Sequence, residues 1–250
     1  MLRGWLARGL GPVVAVEPKP DPRLRKLKGV RFAAEIEGVA DMRMRACVVA
    51  LKPQILRTEA VRLRPIAERG TPMISIAAGT SIATLRKAWG AKAKILRAMP
   101  NTPGAIGRGI SAIYAPPNVT ARERKIAERL LSPLGESMQV GREALIDVTT
   151  AVSGSGPAYV FLLVEALAHA AQAEGMPRAE AEKLARATIM GAGALLESDN
   201  RPPSELRRDV TSPGGTTEAA LKILMGPDGL NRLMARAVSA ANRRAGELAS

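Results

Sequence analysis

Between Asp209 and Leu221 the chain reads DVTSPGGTTEAAL, with Ser212, Gly214, Gly215, Thr216 and Thr217 grouped around a proline just before a helical pattern. The first N–H groups of a helix lack intrahelical partners and carry the positive end of its dipole. Glycines there let a small carboxylate approach almost to backbone contact. Ser212, Thr216 and Thr217 add hydroxyls that donate or accept protons. The same residues also make an ordinary turn and N-cap, so the pattern alone leaves a binding site and a structural cap both open.

Three further segments resemble one family when taken with this one: SIAAGTS from Ser75 to Ser81, RAMPNTP from Arg97 to Pro103, and AVSGSGPAYVF from Ala151 to Phe161. In this order and spacing they are similar to the pyrroline-5-carboxylate reductases, the last enzymes of proline synthesis, and the resemblance runs over essentially the whole chain. It implies an NADP(H)- or NAD(H)-dependent reduction of (S)-1-pyrroline-5-carboxylate to L-proline. Such chemistry needs a nicotinamide against the C=N bond, donors for the substrate carboxylate and a proton or hydrogen bond at the ring nitrogen. The N–H groups of Gly214, Gly215 and Thr216 suit the carboxylate, with Ser212 in support. The resemblance places Thr217 beside the ring nitrogen as the catalytic hydroxyl. A threonine is too weak an acid to be the ultimate donor, so its role is to orient the substrate and relay a proton. Glu143 and Asp209 match family positions near the substrate, although an anion at 209 would oppose the substrate carboxylate.

For the cofactor, Glu17 ends a strand where an acidic side chain accepts hydrogen bonds from the adenosine ribose diol and repels a 2′-phosphate. Lys19, Arg23 and Arg25 lie just beyond and could attract that phosphate, so the choice of dinucleotide stays open. Ala50, Leu51, Lys52 and Pro53 fall in the segment ALKPQ, which the resemblance lays along the dinucleotide. Ala77, Ala78, Met99, Asn101 and Thr102 fall in loops that it places around the nicotinamide. Each of these is equally readable as a plain βα turn.

The elements that must position these residues follow from hydrophobic period. Near-continuous apolar runs at 12–17, 46–51, 72–78 and 94–99 predict strands, with helices over 56–68 and 81–89 between them. This alternation gives parallel βαβ units. Runs at 109–115 and 135–140 predict edge strands around a helix over 119–131. From about Glu143 the chain turns Ala- and Leu-rich, predicting helices over 157–174, 178–197 and 230–248. The expected architecture is an α/β Rossmann-like domain at 1–142 followed by an all-α dimerisation and substrate domain at 143–250. The helix over 157–174 is apolar nearly all round, so another subunit is expected to cover it, giving a homodimer or a higher homo-oligomer.

The largest departure from the resemblance is at the start. The first strand and G-x-G-x-x-G turn of a dinucleotide-binding fold are absent, and residues 1–10 read as the helix that would follow them. A coding start upstream of Met1 is the favoured explanation, and a non-catalytic descendant is the alternative. The net charge of +14 raises the possibility of nucleic-acid binding, but scattered arginines and 2% aromatic residues weigh against it. No uninterrupted apolar run reaches about 20 residues, so no membrane span is expected and a cytoplasmic location follows. Cys47 reads as a reduced, buried thiol, His169 as a packed helix residue, and no cluster has metal-ligand spacing.

Overall fold

The computed structural model describes residues 1–249. They form two compact units, residues 1–155 with 241–249, and residues 156–240.

The first unit is α/β. Its strands are β1 (Val13–Val16), β2 (Val30–Ala33), β3 (Cys47–Val49), β4 (Met73–Ser75), β5 (Ile95–Met99), β6 (Gly109–Tyr114) and β7 (Gly135–Gln139). Between and beside them run α1 (Leu2–Ala7), α2 (Pro22–Arg25), α3 (Pro53–Glu59), α4 (Arg64–Glu68), α5 (Ile82–Trp89), α6 (Ala121–Leu131) and α7 (Ala144–Thr149). β3, β4 and β5 are parallel, β6 is antiparallel to β5, and β7 is parallel to β6. β1 and β2 form a separate parallel pair. In the order 3-2-1-4-5-6 a strand would lie between β1 and β3; among the described residues none does.

The sheet is covered on both faces, which explains strands with little alternation. Every residue of β5 is buried. One core gathers Leu56, Ile66, Leu85, Trp89 and Ile95, and the Trp89 indole N–H donates to the Ala60 carbonyl at 2.8 Å. α5 reaches that core because Ile82, Leu85 and Trp89 fall on one stripe, and Ser81 starts it by accepting the Thr84 N–H. The opposite core holds Ile74, Leu96, Ile113, Ala127 and Leu131. α6 begins in a capping box of Thr120 and Glu123, and α1 lies against its end, where the Trp5 indole donates to the Leu130 carbonyl.

The structure departs from the sequence expectations in local detail. Residues 56–68 are not one helix: a 3₁₀ segment, Ala60–Leu63, separates α3 from α4, and Pro65 stands in the first turn of α4. β2 and α7 carry no periodic signal in sequence because both are short. β2 is held at its far end by Arg62, whose guanidinium gathers Glu35, Glu37 and Glu59. α7 continues through a π turn, Thr150–Gly154, into the next helix, and the break in compactness falls there, after residue 155.

The second unit is helical: α8 (Gly156–Ala173), α9 (Arg178–Ser198), α10 (Pro203–Asp209), α11 (Thr216–Leu224) and the greater part of α12 (Leu230–Ala249). Taken through the π turn, residues 144–173 make a helical stretch long and apolar enough, by length and composition, to cross a membrane. This corrects the expectation from uninterrupted apolar runs, since the stretch tolerates Asp147, Glu165 and His169 within it. In the single chain Phe161, Leu162, Leu163 and Leu167 are all exposed, and His169 is exposed with them.

Candidate functional site

The residues expected around a dinucleotide all lie at the carboxyl ends of parallel strands, where open α/β sheets bind ligands. Glu17 directly follows β1, and its Oε1 accepts the Lys19 N–H at 3.0 Å. Ala50 to Pro53 follow β3. Lys52 is the N-cap of α3 and Pro53 its first residue, the position where a missing N–H costs nothing. Ala77 and Ala78 follow β4, with Ala77 buried. Met99 ends β5, and Asn101 and Thr102 begin the turn after it. Asn101 fastens this turn to the neighbouring strand, its Oδ1 accepting the Ile110 N–H at 3.0 Å.

Two further contacts set these loops. Gly79 turns the chain after β4 with φ +64°, and a Cβ there would come 2.9 Å from Leu248 Cβ, so only glycine admits the last turn of α12 at that point. Arg57 Nη2 holds the same turn by donating to the Leu248 carbonyl at 3.0 Å. Below the loops the Arg97 side chain on β5 is almost wholly buried. Its Nη1 lies 3.0 Å from Glu143 Oε1 and its Nη2 3.1 Å from Asp147 Oδ1. Glu143 Oε1 also accepts the Ile82 N–H at 2.7 Å. One carboxylate thus ties together β5, the first turn of α5 and the start of α7. The sequence pointed to Glu143 through the substrate; the structure shows its oxygen engaged by Arg97 and the backbone. Arg97 and Asp147 were missed, and a lone arginine inside an otherwise apolar strand was the available signal, since such a charge demands a partner.

The chemistry of these donors fits a dinucleotide in part. A carboxylate at the end of β1 suits a ribose diol, and small side chains after β4 leave room for a flat ring. Among the described residues no glycine-rich turn precedes α1 to receive a pyrophosphate.

The second set belongs to the helical unit. Gly215 is the N-cap of α11, and Gly214 adopts φ +71°, a conformation that favours glycine. Two of the three N–H groups expected to face a carboxylate already have acceptors: that of Gly214 donates to Glu218 Oε2 at 2.7 Å and that of Gly215 to the Ser212 carbonyl at 3.0 Å. Thr216 and Thr217 open the helix and so lack intrahelical acceptors for their N–H groups. Ser212 and Thr216 are exposed, and Thr217 is half-buried. Asp209, whose charge seemed to oppose a bound carboxylate, is matched by Arg201, with Nη1 2.9 Å from Asp209 Oδ2. Asp199 and Asp209 together hold the Arg201 guanidinium above its ordinary range.

Residues 143–248 match the family described as pyrroline-5-carboxylate reductase dimerisation. Across the whole chain, the pyrroline-5-carboxylate reductase of Pseudomonas aeruginosa is 38% identical over 256 residues, covering 100% of this chain and 92% of the relative. That of Escherichia coli K12 is 34% identical over 90% of this chain and 84% of its own. Among solved structures, the Coxiella burnetii pyrroline-5-carboxylate reductase superposes with a TM-score of 0.91 at 32% identity, covering 100% of this chain and 93% of that one. The Plasmodium falciparum pyrroline carboxylate reductase, solved with NADP bound, gives 0.79 at 27% identity over 95% and 87%. With motifs, sheet order and helical unit all in agreement, the chain belongs to the pyrroline-5-carboxylate reductase family.

Proposed function

We propose that this chain reduces (S)-1-pyrroline-5-carboxylate to L-proline with NAD(P)H, working as a soluble cytoplasmic homodimer or higher homo-oligomer. The observation that carries the reading is the PGGTT turn at the start of α11, a family motif that presents first-turn N–H groups and three hydroxyls. In this assignment residues 1–142 serve the dinucleotide and residues 143–250 serve dimerisation and the substrate. When bound, the dinucleotide supplies a hydride to the imine carbon. Ser212 and the N–H groups at the head of α11 bind the substrate carboxylate. The Thr217 hydroxyl orients the ring nitrogen and passes a proton to it. Glu17, Ala50 to Pro53, Ala77, Ala78, Met99, Asn101 and Thr102 shape the dinucleotide crevice. Glu143 acts through Arg97 and the Ile82 N–H, as a positioning residue beneath those loops.

The dimeric state rests on a separate argument. α8 and α9 enclose an apolar groove of about 460 Å³ lined by Leu167, Leu184 and a series of alanines, and Met190, Leu195 and Ile223 are exposed in the single chain. A helical unit with this much apolar surface is half of a core.

Steady-state kinetics of Thr217→Ala test the site. Losing one well-placed hydrogen bond is worth about 1.5–3 kcal/mol, so kcat falls roughly ten- to a hundredfold while dinucleotide binding is kept. A variant with wild-type kcat and kcat/KM would make the turn structural.

A further inference from the structure

The end of β1 decides which dinucleotide the chain takes, an inference that rests on the reductase reading. Two kinds of group distinguish NAD from NADP at such a position. A carboxylate accepts from both hydroxyls of an unmodified ribose, whereas a 2′-phosphate needs N–H donors and cations free to meet it. Here the donors closest in sequence are committed to the chain's own carboxylates. The Lys19 N–H is bound to Glu17 Oε1. Arg23, the first arginine beyond the strand, is held by Asp21: its Nε lies 3.1 Å and 3.2 Å from the two carboxylate oxygens, its Nη2 lies 2.7 Å from Oδ2, and its backbone N–H donates to Oδ1 at 2.7 Å. Asp21 is at the same time the N-cap of α2, so the local backbone keeps the pair in place. The Arg23 hydrogen bonds hold the Asp21 carboxyl below its ordinary range, and it is therefore ionised at neutral pH.

We propose that the protein is NADH-selective, with Glu17 as the residue that reads the ribose diol and Asp21 as the residue that withholds Arg23 from a 2′-phosphate. Across Glu17, Lys19, Asp21 and Arg23 the charges sum to zero, so the loop offers a phosphate no net attraction, and the side chain nearest the strand end repels it. The Lys19 ammonium is a single flexible point charge, a weaker phosphate ligand than a free guanidinium fork.

Titrating the fluorescence of NADH and of NADPH against the protein, with 5′-AMP and 2′,5′-ADP as competitors, tests this without turnover. NADH should bind at least tenfold tighter than NADPH, and 5′-AMP should compete better than 2′,5′-ADP. Glu17→Ser should lower NADH affinity about tenfold and leave NADPH unchanged or tighter. Asp21→Asn, which frees Arg23 and retains an N-cap, should tighten NADPH with little effect on NADH; a purely structural Asp21 would move both alike. Equal affinities, or tighter NADPH, overturn the selectivity while leaving the reductase reading intact. Failure to bind either dinucleotide overturns both.

Discussion

Replacing Arg97 by methionine removes a guanidinium whose side chain is only 3% exposed and leaves Glu143 and Asp147 facing each other across its place, with only the Ile82 N–H still donating to Glu143. Breaking a buried ion pair from one side costs about 3–5 kcal/mol, because the remaining charge stays desolvated and unpaired. The two carboxylates keep 29% and 20% of their surface, so water takes up part of the loss and the lower end, about 3 kcal/mol, is the expected value. In a unit of this size each kcal/mol lowers the midpoint by about 2–4 °C, giving a drop of about 6–12 °C. Both tryptophans, Trp5 and Trp89, lie in the first unit, so tryptophan fluorescence during thermal unfolding reports that unit alone. The triple variant Arg97→Met, Glu143→Gln, Asp147→Asn should recover at least half of the loss, since the unpaired charges are gone. A single-variant shift below about 2 °C, or a triple variant no more stable than the single, would refute the assignment of this cluster as the fastening of β5 to α7.

Four other outcomes follow from the same geometry. Leu163→Glu on α8 places a charge in the proposed subunit contact and should dissociate or aggregate the protein; light scattering that finds the wild-type protein already monomeric at micromolar concentration would sink the dimer. Glu123 is pushed up by burial but held below its ordinary range on balance by Lys94, 2.5 Å away, and by Thr120. Its contribution to stability is therefore present above the ordinary carboxylate range and is lost as pH falls through its lowered value. Acid unfolding between about pH 5 and 3 should be less steep in Glu123→Gln. Burial pushes the Cys47 thiol up to about 11, so native protein at pH 8 should react with a thiol reagent only at the rate of unfolding, and rapid labelling would contradict the packing against the first core. A Cβ at Gly215 would press to 3.1 Å on the Ser212 carbonyl; Gly215→Val should raise KM for the imine with less effect on dinucleotide binding, and an unchanged KM would detach Ser212 from the substrate.

What the sequence disclosed was the long-period pattern. The strands at β1 and β3 to β7 and the helices α8, α9 and α12 announced themselves because each buries a full face and needs a periodic apolar set. β2 did not, because its four residues are only half-buried and bound by polar neighbours. The 3₁₀ break at Ala60–Leu63 was hidden because both sides of it share one core, so the apolar rhythm runs through without interruption. At the site, residue types gave the hydroxyls and glycines but not their partners. That Glu218 would take the Gly214 N–H, that Arg201 would match Asp209, and that Glu143 would turn toward a buried Arg97 are all contacts set by folding. Of these, the partner of Asp209 mattered most, since it removes the electrostatic objection to a carboxylate-binding turn.

Reaction stoichiometry bears most directly on the central claim. Incubating the protein with (S)-1-pyrroline-5-carboxylate and NADH, and following both NADH oxidation and chirally resolved proline, should give one L-proline for each NADH consumed, with the rate lost in Thr217→Ala. Dinucleotide binding without L-proline formation, or NADH oxidation that yields no proline, would contradict it.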